Sequence, residues 1–271
     1  MTLAQRLDGI PGFHHLIRLL RVRQVVGFFL KLFPLVKTLP GSGVRYRRRY
    51  LETFFLADEF FTRNAYSKVI DPRSTQTFAD LGCNAGLFAA LLAHETGRRD
   101  LKGLMIDANP EMVEESKWLL KANGLQKIAV LHALVGASKS GTNEAEFFIL
   151  PSNLGSSQFP VYEPGKPPKG DWTKVTVANV DLEKAWLERV GDTRCHLLKV
   201  DIEGSEKYLF RNEPAFMKRV DRVVLEWHKW IVSQEEVEQD LRDAGFERVE
   251  VLQEEDTSGI AWYRRRPSGL V

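Results

Sequence analysis

The rhythm of hydrophobic and polar positions changes once along the chain, near residue 75. Before that point the apolar residues cluster as they do in helices. Phe13–Phe33 is rich in Leu, Val and Phe, and Leu51–Tyr66 is rich in Phe. Both predict buried helices, separated by a turn signal at Leu39-Pro40-Gly41-Ser42-Gly43. The cations of the first segment do not share a face, since Arg18 and Arg21 are helix neighbours while Arg23 and Lys31 point elsewhere. That mixing favours a cap packed on the core over an interfacial membrane helix. From Thr77 onward, short apolar runs alternate with helical ones. Thr77–Leu81, Leu101–Ile106, Ile128–Val135, Cys195–Val200 and Arg222–Glu226 read as strands. Leu87–Thr96 reads as a helix. A second helix starts at Asn109, with Pro110 in its first position, and closes at Gly124. Ser233, with Glu236 three residues on, forms a capping box for a helix ending at Gly245. Phe246–Leu252 and Ile260–Arg264 predict a closing antiparallel hairpin. Alternating strands and helices imply an α/β fold with a parallel sheet covered on both faces.

This pattern divides the chain into a helical N-terminal cap, residues 1–74, and an α/β core, residues 75–267. The core carries an insertion at 143–180, which holds strand-like Glu146–Leu150 and Lys174–Val177 around a Pro/Gly/Lys-rich loop. Long loops in compact domains are more often functional than idle. The net charge is +2, but its distribution is uneven. Residues 1–50 carry ten Lys or Arg and one acid, Asp8, which leaves the other 221 residues near −7. A basic arm on a mildly acidic body suits an anionic ligand, a membrane surface or nucleic acid, and equally a docked cap with solvated arginines. Cys83 and Cys195 are the only cysteines, without zinc-like spacing or a disulfide framework, which fits a reducing cytosol and a cytoplasmic location. Arg18, Arg21 and Arg23 interrupt any signal-peptide layout. Val25–Val36, broken by Lys31 and Pro34, falls short of the roughly 20 apolar residues of a bilayer span and allows only weak contact with a membrane surface.

The strongest chemical signal is Asp80-Leu81-Gly82-Cys83-Asn84-Ala85-Gly86. There a strand delivers a carboxylate and a glycine-containing turn opens a helix. Such a turn can answer a methionine moiety at both poles, with Asp80 for the ammonium and turn N–H groups for the carboxylate. Asp107 ends the next strand, where an acid can accept both hydroxyls of a ribose; Asn109 is grouped with it. The turn lacks the middle glycine that admits a dinucleotide pyrophosphate, which argues against NAD. A second cluster, Asp201, Glu203, Glu226 and His228, lies at the ends of the following two strands. Ligands of open α/β sheets sit outside the carboxyl ends of the strands, so these residues should converge there and accept a hydroxyl proton. The catalytic set expected is Asp201, Glu203 and His228, and the cofactor-binding set is Asp80, Gly82, Asn84, Gly86, Asp107 and Asn109. Oxygen ligands of this kind would suit magnesium, but the spacing matches no metal motif and no metal is predicted.

Asp80–Gly86, Ile106–Pro110, Leu198–Glu206 and Val223–His228 resemble, in order and spacing, the FkbM family of methyltransferases. The most distinctive run is Leu198-Lys199-Val200-Asp201-Ile202-Glu203-Gly204-Ser205-Glu206. The resemblance spans roughly residues 75–230 and leaves the N-terminal third uncovered. It implies a Rossmann-like class I methyltransferase sheet, S-adenosylmethionine as methyl donor, and O-methylation of a small-molecule hydroxyl acceptor such as a sugar or secondary metabolite. It further implies that Asp80, Gly82, Asn84 and Gly86 hold the methionine portion, Asp107 the ribose, and that Asp201 and Glu203 face the transfer site. Asp107 stands where the family often has glutamate. Asn153-Leu154-Gly155-Ser156-Ser157 resembles a serine-containing loop of the family. The cap and the insertion are expected to close over the site and choose the acceptor. Two other readings stay open. One is a nucleic-acid methyltransferase using Arg45-Tyr46-Arg47-Arg48-Arg49, disfavoured because no motif for a flipped base follows the fourth strand. The other is a non-catalytic relative of the same fold, against which the intact Asp80, Asp107 and Asp201 argue. The oligomeric state is left open.

Overall fold

The computed structural model describes residues 22–137, 143–150, 155–159 and 172–267. The expected helical start at Phe13, Arg18 and Arg21, residues Asn153 and Leu154, and the Pro160–Gly170 loop lie outside them.

Seven strands form the central sheet, in the order β10-β11-β9-β8-β3-β4-β5. They are β3 (Thr77–Leu81), β4 (Lys102–Asp107), β5 (Ile128–His132), β8 (Leu197–Val200), β9 (Arg222–His228), β10 (Phe246–Glu254) and β11 (Ser258–Arg265). The five from β9 to β5 pair in parallel, and β11 then runs antiparallel to both β9 and β10. The chain leaves β3 for β4 on one side and later returns to β8 on the other. A topological switch point therefore lies between the tips of β3 and β8, where a crevice opens in such sheets.

Period-two alternation explains why both faces are covered. Phe78, Met105, Leu197, Val224 and Ile260 point to one side. Ala79, Leu81, Leu104, Ile106, Val200 and Leu225 point to the other. The first face packs against α2 (Glu52–Phe61) and α3 (Leu87–Thr96). The second packs against α5 (Leu182–Arg189), α6 (Glu206–Asn212), the short α7 (Pro214–Met217) and α8 (Gln234–Asp243). Local caps stop and start these helices as their sequences predict. The Asn109 side chain accepts from Glu111 N–H at the start of α4 (Pro110–Ala122), and Ser233 and Glu236 complete a reciprocal capping box on α8.

The N-terminal segment departs from expectation. Its described part begins with α1 (Val22–Leu32), but an antiparallel hairpin, β1 (Leu35–Thr38) with β2 (Arg45–Arg48), stands before α2 where only helix and a turn were expected. The hairpin is fixed by distant partners. Arg47 makes a two-pronged ion pair with Glu115 of α4 at 2.6 and 2.7 Å, and Arg49 joins the same carboxylate at 3.1 Å. The Asn123 side chain accepts from Arg45 N–H and donates to its carbonyl. Arg48 stacks over Phe54, and the Arg45 guanidinium bonds the Ala122 carbonyl. These guanidinium groups are held within the molecule, which removes the ground for a nucleic-acid track.

The insertion also forms a hairpin, β6 (Glu144–Ile149) with β7 (Thr173–Ala178). Phe147 and Val177 attach it to the core through Ala108, Leu134 and Ala137. Among the described residues, no helix is long and apolar enough to cross a membrane.

Candidate active site

A cavity of about 230 Å³ opens at the switch point, outside the carboxyl ends of β3, β4, β8 and β9. Gly82, Asn84, Asp107, Asn109, Asp201 and Glu203, all singled out from the sequence, line it. Glu226 joins them, as do Leu56, Glu59, Phe60 and Tyr66 from the N-terminal segment and Phe147, Gly155 and Ser156 from the insertion. Asp80, Gly86 and His228 do not reach the cavity wall.

The β3–α3 turn is closed on itself. Gly82 and Cys83 donate their N–H groups to the Ile106 carbonyl, Ala85 N–H meets the Asn84 side chain, and Gly86 N–H bonds the Cys83 carbonyl. Its glycines serve packing more than ligand approach. Gly82 has φ +73°, and a Cβ there would stand 1.7 Å from the Asp201 carbonyl oxygen; one on Gly86, at φ +78°, would press on Ser116 and Met105. Asp107 is clamped across the turn. One carboxylate oxygen accepts from Asn84 N–H at 2.7 Å and the other from Asn109 N–H at 2.8 Å. Burial raises this carboxyl to about 6, against the opposing pull of those two N–H groups. Each oxygen keeps a lone pair for a hydroxyl donor, a good match to a vicinal diol.

Asp80 is fully buried beneath the cavity, a correction to its expected place against a ligand ammonium. Neither of its oxygens accepts a well-aligned hydrogen bond, and its charge is met by Lys199 Nζ at 3.3 Å. The same ammonium donates to the Gly82 carbonyl at 3.2 Å and lies 3.5 Å from Asp201 Oδ2. Lys199 therefore ties both strand tips to the turn. Burial depresses its pKa, but Asp80, Asp201 and Glu226 outweigh that and leave it raised. Sequence reasoning gave this residue no role, although a lysine inside an otherwise apolar buried strand demands a buried acid.

His228 is likewise placed behind the site and not in it. Its Nε2 lies 3.1 Å from Glu203 and its Nδ1 3.0 Å from Glu206. Burial works against protonation, yet the two carboxylates prevail and hold the imidazolium well above its ordinary pKa. Both ring nitrogens are turned to carboxylates, so the ring fixes Glu203 from behind. Asp201, Glu203 and His228 each place one ligand atom within 4.8 Å of the others, a spacing that a divalent cation could occupy.

Three glutamates on the cavity wall, Glu59, Glu203 and Glu226, are tuned upward. Burial, reinforced by Asp201 and Glu206 and opposed by His228, lifts Glu203 to about 7. Burial, then Asp201, lifts Glu226 to about 8. Glu59, absent from the expected set, is raised by burial and Asp201 and hydrogen-bonds Tyr66. Its only sequence signal was an acid set directly before the Phe60-Phe61 pair of α2. The insertion reaches Glu203 twice, through Gly155 N–H on the carboxylate and through Ser157 Oγ, which donates to the backbone carbonyl at 2.5 Å.

A parallel sheet closed by an antiparallel pair, with an acid-lined crevice at its switch point, defines a methyltransferase of the Rossmann-like class. The chain belongs to the FkbM methyltransferase domain family, whose profile matches residues 80–248, and S-adenosylmethionine is its methyl donor. Similar solved structures include the O-methyltransferase domain of StiE (residues 961–1257), 10% identical over 80% of this chain and 77% of that chain, TM-score 0.47. Another is N,N-8-amino-8-demethyl-D-riboflavin dimethyltransferase from Streptomyces davawensis, 13% identical over 79% and 56%, TM-score 0.44. TrmK of M. capricolum, solved with S-adenosyl-homocysteine, is 9% identical over 76% and 68%, TM-score 0.44. No curated protein sequence matches the chain significantly.

Proposed function

We propose that the chain methylates a hydroxyl oxygen of a small molecule, such as a sugar or secondary metabolite. The observation that carries this reading is the ring of wall carboxylates, Glu59, Asp201, Glu203 and Glu226, opposed among the described residues by the Lys199 ammonium. Such a wall attracts a positively charged donor, and Glu203 and Glu226 offer proton acceptors poised near neutrality. When bound, S-adenosylmethionine supplies an electrophilic methyl group, so the residues need only bind, orient and take up a proton. Asp107 would hold the ribose hydroxyls, with Asn84 and Asn109 fixing its rotamer. Asp201 would face the ammonium and sulfonium side, steadied by Lys199, and Asp80 would act at one remove by anchoring that lysine. As the acceptor oxygen gains the methyl, its proton passes to Glu203 or Glu226; His228 positions Glu203. Alignment of acceptor and donor in a dry pocket can contribute up to ~7–11 kcal/mol. Residues 1–74 as a cap and 143–180 as an insertion on the 75–267 core would select the acceptor, because Leu56, Phe60 and Tyr66 from one and Phe147, Gly155 and Ser156 from the other wall the cavity.

The test is Glu203→Gln, assayed with a panel of hydroxylated acceptors by release of S-adenosylhomocysteine. Donor affinity by calorimetry should stay within about threefold of the parent while turnover falls at least ~100-fold. Unimpaired turnover in the double variant Glu203→Gln/Glu226→Gln, or a product methylated on nitrogen or carbon, would refute the reading.

A further inference from the structure

Among the described residues, eleven large apolar side chains stand exposed, and eight of them fall within Val25–Val36. Val25, Phe28, Phe29 and Leu32 recur at i, i+3, i+4 and i+7 and so form one stripe along α1. Phe33, Leu35 and Val36 extend it into β1, all four residues of which are exposed. Over the described part of the expected Phe13–Phe33 helix, burial on the core is limited to Leu30 among the α1 side chains.

The helix is nonetheless anchored. Lys31, to one side of the stripe, pairs with Glu111 at 3.7 Å and lies 5.1 Å over the Tyr50 ring, whose hydroxyl donates to Glu111 at 2.8 Å. Glu111 sits in the first turn of α4, and the Asn109 cap of that helix lines the cavity. The apolar stripe is thus held at the catalytic end of the sheet.

Charge selects the occupant. Residues 22–37 contain Arg23, Lys31 and Lys37 and no acid. A second copy docking through the same face would set that positive charge against itself. An anionic bilayer answers both features, with acyl chains for the aromatics and headgroups for the lysines. We infer that α1 and β1 form a peripheral docking face for an anionic lipid surface. The eleven-residue helix lies in the interface and does not cross it.

The test is co-sedimentation of the full chain with vesicles of phosphatidylcholine alone or mixed equally with phosphatidylglycerol. Binding should require phosphatidylglycerol and weaken as salt is raised. The double variant Phe28→Ser/Phe33→Ser should bind at least about tenfold more weakly, and Lys37→Gln about fivefold more weakly. Both should keep the parent affinity for S-adenosylhomocysteine. Failure to bind mixed vesicles, indifference to phosphatidylglycerol, or full binding by the double variant would overturn the inference. So would light scattering that shows a dimer dissociated by Phe28→Ser/Phe33→Ser, which would assign the face to a second copy.

Discussion

At Gly82 the backbone takes φ +73° and the space a side chain would need is filled by the Asp201 carbonyl. Gly82→Ala should therefore push the β3 and β8 tips apart, costing at least about 2 kcal/mol of stability, measured by urea denaturation. An unchanged midpoint would show that the two tips are not so tightly apposed. His228 offers a second test, this one of chemistry. As an imidazolium between Glu203 and Glu206 it favours the ionised form of Glu203. His228→Gln retains a donor but removes the charge, so the Glu203 carboxyl should rise from about 7. The acidic limb of the kcat/KM profile should move upward by roughly one pH unit. A stationary limb would mean that Glu203 is not the group titrating in turnover.

Hairpin β1–β2 depends on one buried carboxylate. Glu115 is almost completely buried on α4 and receives both Arg47 and Arg49. Glu115→Ala should leave two guanidinium groups without their acceptor, lower stability by ~1–3 kcal/mol and speed limited proteolysis at the Leu39–Gly43 turn. Unaltered cleavage would show that Asn123 alone holds the hairpin. The same dependence explains why this element was not legible beforehand. Arg45-Tyr46-Arg47-Arg48 offers little strand-like alternation beyond Tyr46, and its partners lie 66 to 78 residues away. The insertion hairpin was easier to read because Phe147, Val175 and Val177 carry their own β character.

Across the whole molecule, the raised carboxyls and the imidazolium act in one direction. In the folded state Asp107, Glu203 and Glu226 retain protons up to about 6, 7 and 8, whereas unfolded carboxyls lose theirs near 4. His228 holds its proton beyond the pH at which an unfolded histidine releases it. Over this range the folded state binds more protons, so stability should fall as pH rises through these values. Without ligand, the Tm should be roughly 5 °C or more lower at pH 8.5 than at pH 5.5. S-adenosylmethionine, a cation, should narrow that gap by favouring the ionised carboxyls. A Tm that climbs with pH would contradict the assigned protonation states.

Whatever rests on near neighbours was set by the chain itself. The strand at Thr77–Leu81, the Asn109–Pro110 helix start, the Ser233–Glu236 capping box and the closing hairpin follow from periodicity and caps within a few residues. Asp107, Asp201 and Glu203 were legible because strand ends in a parallel sheet must meet at one crevice. Tertiary structure alone decided how charge is shared within it. Asp80 withdrew to Lys199, both nitrogens of His228 were taken by glutamates, and Glu59 arrived from a helix outside the family match. These outcomes turn on burial and on pairings between distant residues, for which a linear pattern has no term. The outward turn of the α1 stripe has the same origin, because periodicity defines an apolar face without saying what covers it.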